Sequence, residues 1–337
     1  MRKLPTVFIS EPIHEVGIAM LKGKVNIVVA PNTRRETAFQ LLPEADVAIL
    51  RATTRFDKEM IGKGTRLRAI VRTGIGVDNV DLRSAGERGI FVCNTPGTNT
   101  DTVAEHVAAM VLALSKQVIF MDEAVRTQRW QERFSPDQRD IQNKKIGIVG
   151  LGKTGRAAAR LCKALGMEVL AYDPFLKFGD EAIPMTGDLN DLFRESDFIS
   201  LHCPSTPLTH RFIGSAYLGL MKKEAFLINA SRGDLVDEAA LIKVLEEKKI
   251  AGAALDVFDN EPPNKDHPFL QMSNVILSPH VAGSTRESNE RIAVAAVSAA
   301  LDTLNGKVPQ HICNLEYLPA DHKEKFLHDQ HLHSTRL

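Results

Sequence analysis

Apolar residues in the first hundred positions fall in short runs separated by amphipathic stretches. The runs Val7–Ser10, Val25–Ala30, Val47–Leu50, Leu67–Thr73 and Ile90–Asn94 read as strands, and Glu11–Lys22 and Glu36–Leu42 between them have helical spacing. Strand and helix in alternation predict a parallel sheet covered by helices. A long apolar helix over Val103–Leu114 follows, introduced by Thr102-Val-Ala-Glu105, the spacing of a capping box. Ser115–Gln142 is more charged, holds the only tryptophan, Trp130, and reads as an arm outside either sheet. The alternation restarts with strands over Ile146–Val149, Glu168–Tyr172, Phe198–His202, Phe226–Ala230, Ala251–Val257 and Val275–Ser278. Ser284-Thr-Arg-Glu287 is a second capping-box spacing, ahead of an apolar helix over Ile292–Leu304 that Gly306 is placed to end.

Two long apolar helices thus flank a complete second set of strands. The simplest topology is an insertion, in which 1–100 and 286–318 form one domain and 101–285 are spliced into it as another, with 115–142 as an arm. Two crossings between the domains would let a cleft close. The polar, His-rich end, 319–337 (His322, His328, His331, His333), predicts a disordered tail rather than a metal site.

Composition narrows the function classes. Lys+Arg and Asp+Glu balance at 42 each over 337 residues, so no net field draws nucleic acid or an anionic membrane. The four cysteines (Cys93, Cys162, Cys203, Cys313) form no C-x-x-C pair and read as reduced structural thiols. No run approaches the about 18 apolar residues of a membrane span, and the N-terminal apolar run is too short for a signal peptide. A cytoplasmic protein is expected.

The second set of strands opens on Lys-Ile-Gly-Ile-Val-Gly-Leu-Gly-Lys-Thr-Gly, residues 145–155, where Gly150, Gly152 and Gly155 give G-x-G-x-x-G between a strand and a helix. The first glycine permits the tight turn, the second lets a pyrophosphate reach the backbone, and the third lets helix and strand pack closely. The helix N-terminus offers free N–H groups to phosphates. Asp173 ends the next strand, where a carboxylate accepts from ribose hydroxyls and repels a 2′-phosphate. The pattern predicts dinucleotide binding, NAD over NADP.

Ligands of a doubly wound sheet lie beyond the carboxyl ends of its strands. Three ionisable residues fall there: Arg232 in Asn-Ala-Ser-Arg-Gly-Asp, Glu261 in Asp-Val-Phe-Asp-Asn-Glu-Pro-Pro, and His280 in Leu-Ser-Pro-His-Val-Ala-Gly. Singly, each has an ordinary reading as a solvated arginine, a turn glutamate or a strand-end histidine. Together they match what hydride transfer to a 2-keto acid needs: a proton donor, a carboxylate that favours its charged form, and a cationic fork for the substrate carboxylate.

The segments Gly150–Gly155, Asn229–Asp234, Leu255–Pro262 and Ser278–Gly283, in that order, resemble the signatures of the D-isomer-specific 2-hydroxyacid dehydrogenases. Arg72-Thr-Gly-Ile-Gly-Val-Asp-Asn-Val-Asp81 and Asn94-Thr-Pro-Gly97 resemble that family's N-terminal motifs, and the similarity runs from about residue 40 to 310. It implies an α/β fold of two doubly wound parallel-sheet domains, a Rossmann NAD-binding domain inserted into a flavodoxin-like substrate domain, and a homodimer built largely through the former. It implies His280 as acid/base, Glu261 as its partner and Arg232 as substrate anchor. Lys153 and Thr154 would meet the pyrophosphate and Asp173 the ribose. Cys203 and Pro204 would lie beside the adenosine, Ala230, Asp256 and Gly283 near the nicotinamide, and Ser231 among the cofactor contacts. Backbone N–H groups of Gly74, Ile75 and Gly76 would hold the substrate carboxylate.

The 72–81 stretch is most similar to the phosphoglycerate dehydrogenase branch, although a C-terminal regulatory domain is not expected after residue 310. Arg51, at a strand end, either meets a phosphate or second carboxylate of the substrate or simply faces solvent. 3-Phosphoglycerate and hydroxypyruvate or glyoxylate all remain open as substrates. Glu261 stands where formate dehydrogenases carry Gln, which argues against formate. The alternative is a binding protein that senses NAD(H), like the C-terminal-binding-protein corepressors, which share the fold and the Arg-Glu-His set.

Overall fold

A computed structural model of the chain describes residues 4–134, 137–176 and 183–324. Its strands are β1 (Thr6–Ile9), β2 (Asn26–Val29), β3 (Val47–Leu50), β4 (Ala69–Arg72), β5 (Phe91–Cys93), β6 (Lys145–Val149), β7 (Glu168–Tyr172), β8 (Phe198–Leu201), β9 (Phe226–Asn229), β10 (Gly252–Leu255) and β11 (Val275–Leu277). The chain divides into two compact units, one running up to Asn99 and resuming at Ser284, the other spanning Thr100–Gly283.

The first unit is a parallel sheet in the order β2-β1-β3-β4-β5, the flavodoxin order. β1 and β3 are buried along their whole length, which is why they read as unbroken apolar runs: a parallel sheet is covered on both faces. One face packs Phe8, Leu50 and Ile70 on Phe56, Met60 and Ile61. The other packs Val7, Ile9 and Val71 on Leu21 and on Ala296, Val297 and Ala300. Those alanines belong to the helix Arg286–Leu304, so burial of its small-residue face ties the C-terminal segment to this sheet.

The second unit is a parallel sheet in the order β11-β10-β9-β8-β6-β7. Outside β7, Met185 bridges Ala171 in parallel, the place of a further strand. Ala171 donates to the Pro184 carbonyl and accepts from Thr186 N, but Pro184 has no N–H with which to extend the ladder. With Met185 counted, the order is that of a dinucleotide-binding fold. The helices Thr100–Lys116 and Lys153–Ala164 bury Val107, Val111, Ala158 and Cys162 on one face, and Leu192, Phe193, Leu241 and Leu245 cover the other.

Several expected boundaries move. The first long helix starts at Thr100, so Thr102 lies inside its first turn and is buried, not the N-cap of a box with Glu105. Nothing between Gly97 and Thr102 breaks a helix. In the second, the box exists one residue later: Thr285 Oγ1 accepts from Ser288 N (3.1 Å) and Ser288 Oγ from Thr285 N (2.8 Å). Ser288 is buried whereas Glu287 faces solvent, and Ser284 bonds Asn289 instead. The helix expected over Glu11–Lys22 shortens to Glu15–Leu21, capped by His14 Nδ1.

Part of the expected tail is ordered. Residues 320–324 are helical and the His322 ring lies 5.5 Å from that of Phe91, because the chain returns alongside β5 through the Cys93–Ile312 bridge. His328, His331 and His333 lie outside the described residues. No His, Cys, Asp and Glu cluster among the described residues could hold a metal ion. All four cysteines are free thiols. The arm consists of a helix, Val118–Arg126, and a 3-10 turn, Trp130–Phe134. Val118, Ile119, Val125, Trp130 and Phe134 on it are all more than half exposed. No single described helix is long and apolar enough to cross a membrane.

Candidate active site

Val149, Leu201, Asn229, Leu255 and Leu277 end their strands in register, so the loops that follow meet along one edge of the second sheet. Gly150 leaves β6 at φ +93, and a Cβ there would lie 2.9 Å from the Cys203 backbone nitrogen. A Cβ on Gly155 would overlap the Gly150 carbonyl oxygen, the close helix–turn approach that the third glycine serves. Gly152 differs: a Cβ on it would meet nothing. It is the N-cap of Lys153–Ala164, and no side chain caps that end. Open space therefore faces uncapped N–H groups, with Lys153 and Thr154 in the first turn, and the residues present fit a pyrophosphate.

Asp173 Oδ2 accepts from Leu151 N (2.9 Å) and Oδ1 from Phe175 N (3.0 Å), so the acid at the end of β7 also pins the glycine turn. Each oxygen retains a lone pair directed elsewhere. Across the turn, Cys203 is half-buried and burial pushes its thiol up to about 11, which keeps it protonated at neutral pH. Ser231 Oγ donates to the Cys203 carbonyl (2.8 Å), joining the β8 and β9 loops, while Pro204 is exposed.

Gly152→Ala is expected to leave Tm unchanged, because the new methyl touches no protein atom, yet to weaken NADH binding roughly tenfold, the equivalent of about 1.4 kcal/mol. Fluorescence titration and thermal melts check it, and unaltered NADH affinity would rule out this turn as the pyrophosphate site.

At the other end of the edge, buried Asn229 folds the β9 loop. Its amide donates to the Arg232 carbonyl (2.8 Å), and its Oδ1 accepts from Ser231 N (3.1 Å). Arg232 Nη1 donates to the Ser231 carbonyl (2.7 Å). Asp256, wholly buried, accepts from Ser278 Oγ (2.6 Å), Val281 N (2.9 Å) and Ala282 N (2.8 Å). Its carboxylate therefore builds the loop that bears His280. That loop bends sharply, with His280 itself at φ +53.

Glu261 Oε2 lies 2.6 Å from His280 Nδ1, and Glu261 Oε1 accepts from Phe258 N (3.1 Å). Burial pushes the Glu261 carboxyl up, but the His280 hydrogen bond and charge, the Phe258 N–H and the Arg232 guanidinium together hold it below its ordinary range. The Glu261 loop is anchored from below: Glu238 accepts from Asp259 N (2.8 Å) and lies 3.1 Å from His267 Nε2. The structure thus brings Arg232, Glu261 and His280 together.

In the first unit the Gly74 N–H is already spent on Thr95 Oγ1 (2.7 Å). Ile75 and Gly76 follow with N–H groups that donate to nothing among the described residues. Asn94 holds the Ile75 carbonyl (2.7 Å). Arg51 follows the last residue of β3 beside the end of β1; its N–H meets Ser10 Oγ (3.2 Å) and its Nη1 the Pro12 carbonyl (3.1 Å).

Residues 108–282 match the family model described as D-isomer specific 2-hydroxyacid dehydrogenase, NAD binding domain, a stretch of more than half the chain. The chain belongs to this family. The D-2-hydroxyacid dehydrogenase relatives include D-3-phosphoglycerate dehydrogenase of Synechocystis sp., 39% identical over 321 residues that cover 95% of this chain and 58% of that one. Glyoxylate reductase of Thermofilum pendens is 35% identical over 331 residues, covering 95% and 98%. A crystal structure of a Thermus thermophilus protein superposes with a TM-score of 0.83 at 31% identity, over 91% of this chain and 99% of that one. The chain spans about three fifths of the length of the phosphoglycerate dehydrogenases it matches. NAD is the cofactor of this D-2-hydroxyacid dehydrogenase family member.

Sequence reasoning missed Gly233, Ser278 and His106. A Cβ on Gly233 would overlap the Phe258 carbonyl group, so the Arg232 and Glu261 loops touch there. His106 Nε2 lies 3.2 Å from Ser278 Oγ, across 172 positions of sequence. Gly233 had a signal, standing beside Arg232 in the quoted motif. His106, inside an apolar helix, had none.

Proposed function

We propose that this chain interconverts a D-2-hydroxy acid and its 2-keto acid. The observation that carries the reading is the 2.6 Å contact of Glu261 with His280 Nδ1, at the same sheet edge as the glycine turn. NAD, when bound, carries the hydride. The chain's residues handle the proton and the carboxylate. Glu261 occupies Nδ1 and fixes the ring, which leaves Nε2 to give a proton to the carbonyl oxygen in reduction, or to take one from the hydroxyl in oxidation. Arg232 anchors the substrate carboxylate through its fork. In the first unit, Ile75 and Gly76 offer backbone N–H groups suited to a carboxylate, with Gly74 shaping the turn at φ +120.

Lys153 and Thr154 serve the pyrophosphate, Cys203 and Pro204 the adenosine, and Ala230, Ser231 and Gly283 the nicotinamide; Asp256 supports that region by holding the 278–282 loop. Arg51 suits a substrate with a second anionic group, such as 3-phosphohydroxypyruvate, over glyoxylate. The exposed apolar residues of the arm support a homodimer, the free thiols suit a cytoplasmic enzyme, and the balanced charge fits a small-molecule substrate over nucleic acid.

NADH oxidation followed across hydroxypyruvate, 3-phosphohydroxypyruvate, glyoxylate, pyruvate and branched 2-keto acids tests this reading. Turnover above ~1 s⁻¹ on one of them is expected. Tight NADH binding without turnover on any would favour the sensor reading instead. Asp173→Ala is expected to shift the NADH-to-NADPH preference by about tenfold toward NADPH, because the repulsion of a 2′-phosphate disappears. An unchanged kcat/KM ratio for the two cofactors would remove Asp173 from the ribose site.

A further inference from the structure

Beside the His280 loop a second histidine completes a hydrogen-bonded relay. Ser278 Oγ has one hydrogen and gives it to Asp256 Oδ1 at 2.6 Å. His106 Nε2, 3.2 Å from the same oxygen, must therefore be the donor in that contact. The ring rises from the helix Thr100–Lys116 and is a quarter exposed; it stands 3.8 Å from Asp256 Oδ1.

Asp256 in turn holds His280 and the two residues after it. Its backbone carbonyl accepts from His280 N (2.8 Å), and its two carboxylate oxygens accept from Val281 N and Ala282 N. His280 keeps φ +53, left-handed backbone that is uncommon outside glycine, though histidine enters it more readily than most residues.

We propose that His106 is a positioning residue of the proposed dehydrogenase reaction. Through Ser278 it orients the Asp256 carboxylate, and that carboxylate sets the loop conformation that aims the His280 ring. His106 touches neither substrate nor cofactor in this role. The inference rests on the reading of His280 as acid/base, and its test separates the two.

His106→Leu keeps the bulk and removes the donor, whereas His106→Gln retains an N–H near the Nε2 position. With the best keto acid, His106→Leu is expected to lower kcat by roughly 10–100-fold, as a displacement near 1 Å would. NADH affinity should stay at the wild-type value, and His106→Gln should recover most of the loss. In a Ser278→Ala background the His106→Leu change should cost nothing more, because its route is already cut.

NMR of the His280 ring supplies a readout independent of turnover, and its Cε1 resonance should shift in His106→Leu and return in His106→Gln. If wild-type protein turns over no keto acid but this resonance behaves as stated, the positioning role stands and the reaction assigned to His280 fails. Full kcat in His106→Leu with an unmoved resonance would overturn the positioning role. So would equal loss in His106→Leu and His106→Gln, or losses that add with Ser278→Ala, since each means that His106 only fills space.

Discussion

Replacing His280 with asparagine is expected to cut kcat by about 10²–10⁴-fold, the usual worth of a positioned proton donor, while NADH binding is retained. Asparagine is the informative substitute. It tolerates the left-handed backbone found at φ +53 and its amide can still meet Glu261, but it cannot carry a proton. Loss of turnover then reports the proton and not a collapsed loop. Steady-state kinetics with an NADH titration checks it, and near-normal turnover would show that the proton comes from elsewhere. The pH dependence follows from Glu261, whose carboxyl is held below its ordinary range. A depressed carboxylate contributes its interaction fully above the unfolded value and loses it only as pH falls through the lower folded value. The Glu261–His280 contact therefore persists through neutral and mildly acidic pH. An acid limb of kcat/KM assigned to Glu261 should sit below the ordinary carboxylate range and vanish in Glu261→Gln.

Strand positions were legible because both sheets are parallel and covered on both faces, which turns buried strands into continuous apolar runs such as Val7–Ile9 and Val47–Leu50. The glycine turn was legible for a different reason: Gly150 and Gly155 occupy backbone positions that admit no Cβ, so the requirement is written in one residue type. Arg232, Glu261 and His280 could be grouped because each follows a strand end, and the parallel register then brings those ends to one level.

What escaped depends on burial or on long-range packing. Thr102-x-x-Glu105 and Ser284-x-x-Glu287 have the local spacing of capping boxes, but Thr102 is turned into the core, and buried Ser288, not Glu287, completes the second box. Met185 pairs through too few residues to show a period, since Pro184 ends the ladder. The Gly74 N–H could not be known to be occupied without the fold that brings Thr95 beside it.

Gly233→Ala carries the second large effect. Its new methyl would overlap the Phe258 carbonyl group and lie 2.6 Å from Asp259 N, all backbone atoms that cannot rotate away. One side of this contact is the Arg232 loop, held by Asn229; the other is the segment whose Phe258 N–H binds Glu261 and whose Asp259 N–H binds Glu238. Relief needs the two backbones to part by about an ångström, a displacement that can cost 10²-fold when reacting groups are misaligned. Overpacking itself adds about 1–3 kcal/mol of destabilisation. The expected result is a fall in kcat/KM of roughly 100-fold, from a residue that contributes no side chain to the chemistry, because Arg232 and Glu261 lose their common frame. The glycine turn at Gly150–Gly155 follows another strand, so NADH affinity should fall far less. Kinetics, NADH titration and a thermal melt on the one variant separate these effects. Wild-type kcat/KM in Gly233→Ala would mean that the loops part freely, and that the catalytic geometry does not depend on this contact.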